Sequence, residues 1–206
     1  CAEILVRSNF PPGADSLEYG PRSPAARIRL GYFSADFRDH PVAHLTAELF
    51  ERHDRSKFEV IAFSFGPPVQ DAMRTRLEGA FDQFIEVHDK TDKEIALLAR
   101  AQGIDIAVDL MGITSHSRTG IFADRAAPVQ VSYLGYPGTM GASFVDYIIA
   151  DEFLIPPAAS VHYAETVAYL PCYLITDRRW TTTALPSRAD CGLPQHGFVF
   201  ASFNQI

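Results

Sequence analysis

From residue 27 onward the sequence alternates short, nearly continuous apolar runs with amphipathic stretches of about ten residues, and no other feature constrains the fold as strongly. Residues 27–34 (RIRLGYFS), 58–65 (FEVIAFSF), 83–87, 104–110 (IDIAVDL), 129–134, 144–150 and 166–170 read as strands. Between them, 41–53 repeats apolar side chains at Leu45, Leu49 and Phe50 with helical spacing, and 71–81 and 118–125 continue in the same way. Residues 91–102 form the clearest helix, with Thr91 as cap, Glu94 at the capping-box spacing and Gly103 as stop. Runs without alternation are strands buried on both faces, and helices between them force parallel pairing with right-handed crossovers. The fold class predicted is therefore α/β, a doubly wound, mostly parallel Rossmann-like sheet. Such sheets bind ligands beyond the carboxyl ends of their strands. That directs attention to the loops after residues 34, 65, 110 and 134.

Composition narrows the classes further. The chain has 206 residues, 47% of them hydrophobic and 21% charged, which excludes a disordered or fibrous chain and allows a sizeable core. No apolar stretch approaches the roughly 18 residues of a membrane span. A net charge of −7 without a basic stripe argues against nucleic acid as partner. Cys1, Cys172 and Cys191 lack motif spacing and read as free thiols of a reducing, cytoplasmic compartment; no basic, apolar leader supports secretion. Four prolines in residues 1–26 mark a linker or junction tail, 27–175 a complete lobe and 176–197 a polar connection. The apolar run at 198–206 is expected to be the first strand of a second, truncated lobe, so the sequence reads as a stretch of a longer protein.

Motif absences are informative. No GxGxxG follows the first strand, no GxxxxGK[ST] occurs, and no Asp-x-Asp, CxxC or HExxH is available for a metal. Chemistry concentrates instead in three strand exits. After the first strand, Pro41 suits the first helical position and makes His40 the expected N-cap, with its imidazole at a helix N-terminus that favours the neutral ring. His44, one turn on, is expected to pack or cap rather than bind zinc. The fourth strand ends at Asp109, a carboxylate that is costly to bury unless it meets a ligand or caps its loop. Gly112 and Thr114 follow in that loop, and His116 reads as a surface residue. The fifth strand runs into Gly135, Tyr136, Pro137, Gly138 and Thr139; a tight turn is expected, with Gly138 able to take positive φ and with its amides and the Thr139 hydroxyl able to hold sugar or phosphate oxygens.

Four segments, GYFSADFRDHPVAHL (31–45), IDIAVDLMGIT (104–114), RAAPVQVSYLGYPGTMGASFVDYIIAD (125–151) and FASFNQ (200–205), together resemble the catalytic region of the O-linked N-acetylglucosamine transferase family, to which plant SPINDLY-type O-fucosyltransferases are also similar. The resemblance implies a two-lobed GT-B architecture and inverting, metal-independent transfer of a sugar from a UDP-sugar to Ser or Thr hydroxyls of an acceptor protein. It implies no cofactor and no metal, with tetratricopeptide repeats upstream and a nucleotide-binding lobe downstream. His40 matches the family's essential histidine, as proton acceptor or as a positioning group. Asp109, Gly112, Thr114 and Gly135–Thr139 match cleft-lining, substrate-binding positions, Asp109 standing where relatives have Asp or Asn. Gln205 matches a residue that approaches the donor nucleotide, and the isolated 206-residue stretch is expected to have little transferase activity. Two rivals remain at this level: a non-catalytic protein-binding module that keeps the lobe, and an epimerase-like α/β enzyme, which would need a paired acid and base in the cleft.

Overall fold

The computed structural model describes residues 2–10, 27–175, 177 and 186–202. Its elements in chain order are α1 (Ala2–Asn9), β1 (Ile28–Ser34), α2 (Pro41–Arg52), β2 (Phe58–Ser64), α3 (Ala72–Glu78), β3 (Gln83–Glu86), α4 (Asp92–Ala101), β4 (Ile106–Asp109), α5 (Gly120–Ala123), β5 (Val129–Ser132), β6 (Tyr147–Ala150), a 3-10 helix (Pro157–His162) and β7 (Thr166–Tyr169). All seven strands join one sheet in the order β3-β2-β1-β4-β5-β6-β7, and every pairing is parallel. The last five residues of β1 and of β2 are buried, as expected of strands covered on both faces.

The helices divide between the faces. Ala43, Ala47 and Phe50 of α2 and Met73 and Leu77 of α3 pack with Leu30, Tyr32, Val60, Val108 and Val131 on one face. Ile95, Ala96 and Ala99 of α4 and Ile121 and Phe122 of α5 pack with Phe33, Ile61, Phe63 and Ala107 on the other. Aromatic rings fill both layers: Phe33 and Phe63 stack at 4.5 Å between centroids, and Phe50 meets Phe81 at 4.6 Å. The chain therefore winds outward from β1 to β3 with its helices on one side, crosses back, and continues from β4 with helices on the other. The exits of β1 and β4, which are adjacent strands, turn to opposite faces. That divergence opens a crevice at their carboxyl ends.

Local signals behave as their chemistry requires. Thr91 and Glu94 form a reciprocal capping box on α4, and Asp71 caps α3 by accepting from the Arg74 amide at 2.7 Å. Two segments differ from the sequence reading. The tail is not wholly irregular: residues 2–9 are helical because Val6 finds an apolar seat on Met140, Ala142 and Val145. In the other direction, described residues 198–202 form no strand; Phe198 and Phe200 are 86% and 91% exposed and contact each other, with no neighbouring strand to complete a ladder. Residues 203–206, including Asn204 and Gln205, lie outside the described residues, as does Cys1.

The β1 and β2 exits are clamped together. The Phe65 amide donates to the Ser34 carbonyl at 3.1 Å, and a Cβ on Gly66 would sit 1.9 Å from the Ala35 carbonyl oxygen, a backbone atom that cannot yield. Gly66→Ala should lower stability by about 2 kcal/mol or more in thermal unfolding. Gly79→Ala, whose Cβ would lie 3.6 Å from its nearest neighbour, should change it by less than about 0.5 kcal/mol. Equal effects at the two positions would contradict the clamp.

Candidate active site

His40 stands where β1 hands over to α2. Its backbone is extended (φ −153°, ψ 148°), Pro41 occupies the first helical position, and the Nδ1 atom accepts a hydrogen bond from the Val42 amide at 3.3 Å. The N-cap read from the sequence is thus present. Nδ1 also lies 3.5 Å from Oδ2 of Asp36. The ring is about one-third exposed, and Nε2 has no partner among the described residues. It is the nitrogen left for chemistry. His44 is held by the Asp39 side chain, Nε2 to Oδ1 at 2.7 Å.

The β4 exit is built around Asp109. The carboxylate is 3% exposed, and its two oxygens accept the amides of Met111 at 2.9 Å and Gly112 at 3.1 Å. Burial pushes its carboxyl up to about 6, while the two amide bonds pull the other way. Both oxygens therefore serve the loop, and Asp109 shapes the site from behind. Gly112 takes φ +60°, and a Cβ there would meet Tyr136 at 2.5 Å. Glycine is required at that position for close packing of two loops on each other. Thr114 is exposed, its hydroxyl donating to the Met111 carbonyl at 3.0 Å, and His116 is exposed as expected.

The β5 exit packs directly on the β4 loop. A Cβ on Gly135 would lie 2.1 Å from the Leu110 carbonyl oxygen. Leu134 adopts φ +71°, a strained value for a leucine, and its carbonyl receives the Tyr173 hydroxyl at 3.0 Å. Gly138 is not among the residues at positive φ; it is small because the Tyr136 ring lies where a Cβ would be, 2.8 Å away. The Thr139 hydroxyl is not free for a ligand. It donates to Glu165 at 2.7 Å and accepts from the Gly141 and Ala164 amides, while the other Glu165 oxygen takes the Met140 amide at 2.7 Å. Glu165 is 4% exposed and comes from just before β7, so no local sequence signal could have found it.

The structure thus brings residues 109–114 and 135–141 into contact, and the Ser34 hydroxyl, 3.4 Å from the Met111 sulfur, joins the β1 exit to them. His40, Asp109 and the Gly135–Thr139 segment all lie at the carboxyl end of the sheet. Among the described residues no group of three His, Cys, Asp or Glu side chains is placed to hold a metal ion, and no helix is long and apolar enough to cross a membrane.

Comparison with known proteins decides the family, because the profile of glycosyl transferase family 41 matches residues 15–189. The chain belongs to this family. Among curated family 41 relatives, the Arabidopsis thaliana protein named probable UDP-N-acetylglucosamine–peptide N-acetylglucosaminyltransferase SEC is 34% identical across 100% of this chain, and the Caenorhabditis elegans UDP-N-acetylglucosamine–peptide N-acetylglucosaminyltransferase is 37% identical across 70% of it. The chain spans only 22% and 13% of those proteins. A solved structure of a mutant Thermobaculum terrenum O-GlcNAc transferase superposes with a TM-score of 0.78 at 36% identity, over 84% of this chain and 34% of that one. The agreement gives this family 41 chain a Rossmann-like α/β fold.

The buried Asp109 gives the site a pH signature. Its folded-state value lies above its unfolded 3.8, so the folded protein binds the proton more tightly, and stability from this group falls as pH rises through the window from about 4 to 6. Asp109→Asn has no such window. Its stability relative to wild type should rise by on the order of 2 kcal/mol between about pH 4 and pH 6.5 in urea unfolding. The half-buried His53, held down to about 4, titrates in both proteins and cancels from the difference. A difference that does not change with pH would contradict the assignment.

Proposed function

We propose that this chain forms one wall of the sugar-transfer cleft of an inverting, metal-independent glycosyltransferase. The reaction moves a sugar, N-acetylglucosamine foremost, from a UDP-sugar to Ser or Thr hydroxyls of an acceptor protein. The full protein carries the tetratricopeptide repeats before this stretch and the nucleotide-binding lobe after it, and it works in the cytoplasm. One observation carries the reading: His40, at the family's His-Pro position, follows the exit of β1, whose neighbour is β4, with Nε2 unpartnered among the described residues. The acceptor hydroxyl attacks the anomeric carbon from the side opposite the diphosphate, and configuration inverts. His40 receives or orients the acceptor proton in that step. Charge developing on the diphosphate is met by donors of the second lobe. The loops that Asp109 and Glu165 hold shape the floor on which the sugar rests.

The test is His40→Ala in the full-length protein, assayed with UDP-N-acetylglucosamine and an acceptor peptide. Loss of a positioned proton acceptor lowers kcat/KM by at least 100-fold. A value within twofold of wild type would reduce His40 to a helix cap and remove the support for this reading.

A further inference from the structure

Several carboxylates of this chain accept backbone amides. Asp71 accepts the amides of Asp39 and Arg74, Asp82 that of Val60, Asp146 that of Gln130, Asp151 those of Leu154 and Tyr173, and Asp109 those of its own loop. Asp36 departs from this pattern. Its side chain is only 10% exposed, yet its oxygens meet no backbone amide. One oxygen faces the Arg38 guanidinium at 3.5 Å, and the other faces Nδ1 of His40 at 3.5 Å. Its main chain is fixed at both ends, the amide donating to the Ser34 hydroxyl at 2.9 Å and the carbonyl accepting from the Arg38 amide at 2.8 Å. Burying a carboxylate is unfavourable, and here no loop gains from it.

What Asp36 does face is a nitrogen with two possible partners. With the Val42 amide donating to Nδ1, as in the cap geometry, the neutral ring carries its proton on Nε2 and can only donate there. Acceptance of a proton at Nε2 requires the other tautomer, with the proton on Nδ1. A backbone amide cannot stabilise that tautomer, but a carboxylate can. The remaining carboxylates nearby are committed: Asp39 holds His44, and Asp71 holds two amides.

We propose that Asp36 is the positioning residue for His40, selecting the tautomer protonated on Nδ1 and facing the imidazolium that forms when Nε2 takes the acceptor's proton. The inference rests on the function proposed above. In the step itself the acceptor O–H bond breaks and its proton passes to Nε2. The oxygen then bonds to the anomeric carbon, and the bond from that carbon to the diphosphate oxygen breaks with its electron pair going to the diphosphate. Asp36 touches no substrate. In this tautomer the Val42 amide loses its side-chain acceptor and joins the open amides of the first helical turn.

Kinetics of single and double variants of the full-length protein test this, with UDP-N-acetylglucosamine and an acceptor peptide. Asp36→Asn should lower kcat at least tenfold and leave the donor KM within twofold. In a His40→Ala background the same change should lower residual turnover no further, because Asp36 acts only through the ring. An unchanged kcat, or an equal loss in both backgrounds, overturns the proposal in favour of a structural role. Should His40→Ala alone be fully active, the reading of His40 falls and this one with it. For wild-type protein, the 15N resonances of His40 in the presence of UDP and acceptor peptide supply a readout that needs no Asp36 variant: a proton on Nδ1 is expected, and a proton on Nε2 overturns the proposal.

Discussion

The crossover that returns the chain from β3 at one edge of the sheet to β4 beside β1 decides everything that follows at the site. Because β1 leads into helices on one face and β4 into helices on the other, two neighbouring strands end in loops that separate. The parallel register brings Phe33, Asp109 and Ser132 side by side at the carboxyl end, so the loops of β1, β4 and β5 start at one level. A polar ligand can enter there without unpairing a strand. Beneath the loops Phe33 stacks on Phe63 of β2 and meets Phe122 of α5 edge-on, which holds the β1 end against its neighbours.

On that platform the site is assembled by carboxylates acting on amides. Asp109 fixes the β4 loop, Glu165 fixes the β5 loop, and Asp71 ties the β1 exit to α3. Asp109 and Glu165 replace water at buried N–H groups that would otherwise be unsatisfied. The loops are thereby held by the protein's own hydrogen bonds. Tyr173 adds a further restraint by holding the strained Leu134 carbonyl. Such strain persists only where surroundings over-determine it.

Much of the sheet is legible in the sequence because both-face burial writes itself as uninterrupted apolar runs, and the capping box at Thr91 and the Pro41 start mark helices by their own chemistry. Less is legible where tertiary contact supplies the stabilisation. Helix α1 is too short to hold by propensity and exists because Val6 reaches the Met140–Val145 segment, more than a hundred residues away. The 198–202 run has strand composition but no strand to pair with. At the site, the position of His40 follows from the sequence, whereas the roles of Asp109 and Thr139 do not. Both are polar residues at strand exits, a pattern that suits ligand binding and loop bracing equally, and only the direction of their hydrogen bonds distinguishes the two. Asp36 had a visible signal, four residues before a histidine in one loop, but its meaning depends on a side chain that points at Nδ1 instead of a backbone amide.

The central claim is that chemistry occurs at the divergent exits of β1 and β4, with His40 as the group that meets the acceptor. A crystal structure of the full-length protein with UDP and an acceptor peptide tests it most directly. The account predicts Nε2 of His40 within about 3.5 Å of the acceptor hydroxyl, directly or through one water, with residues 110–114 and 135–141 lining the sugar space. An acceptor hydroxyl bound elsewhere, with Nε2 facing only solvent, would contradict it.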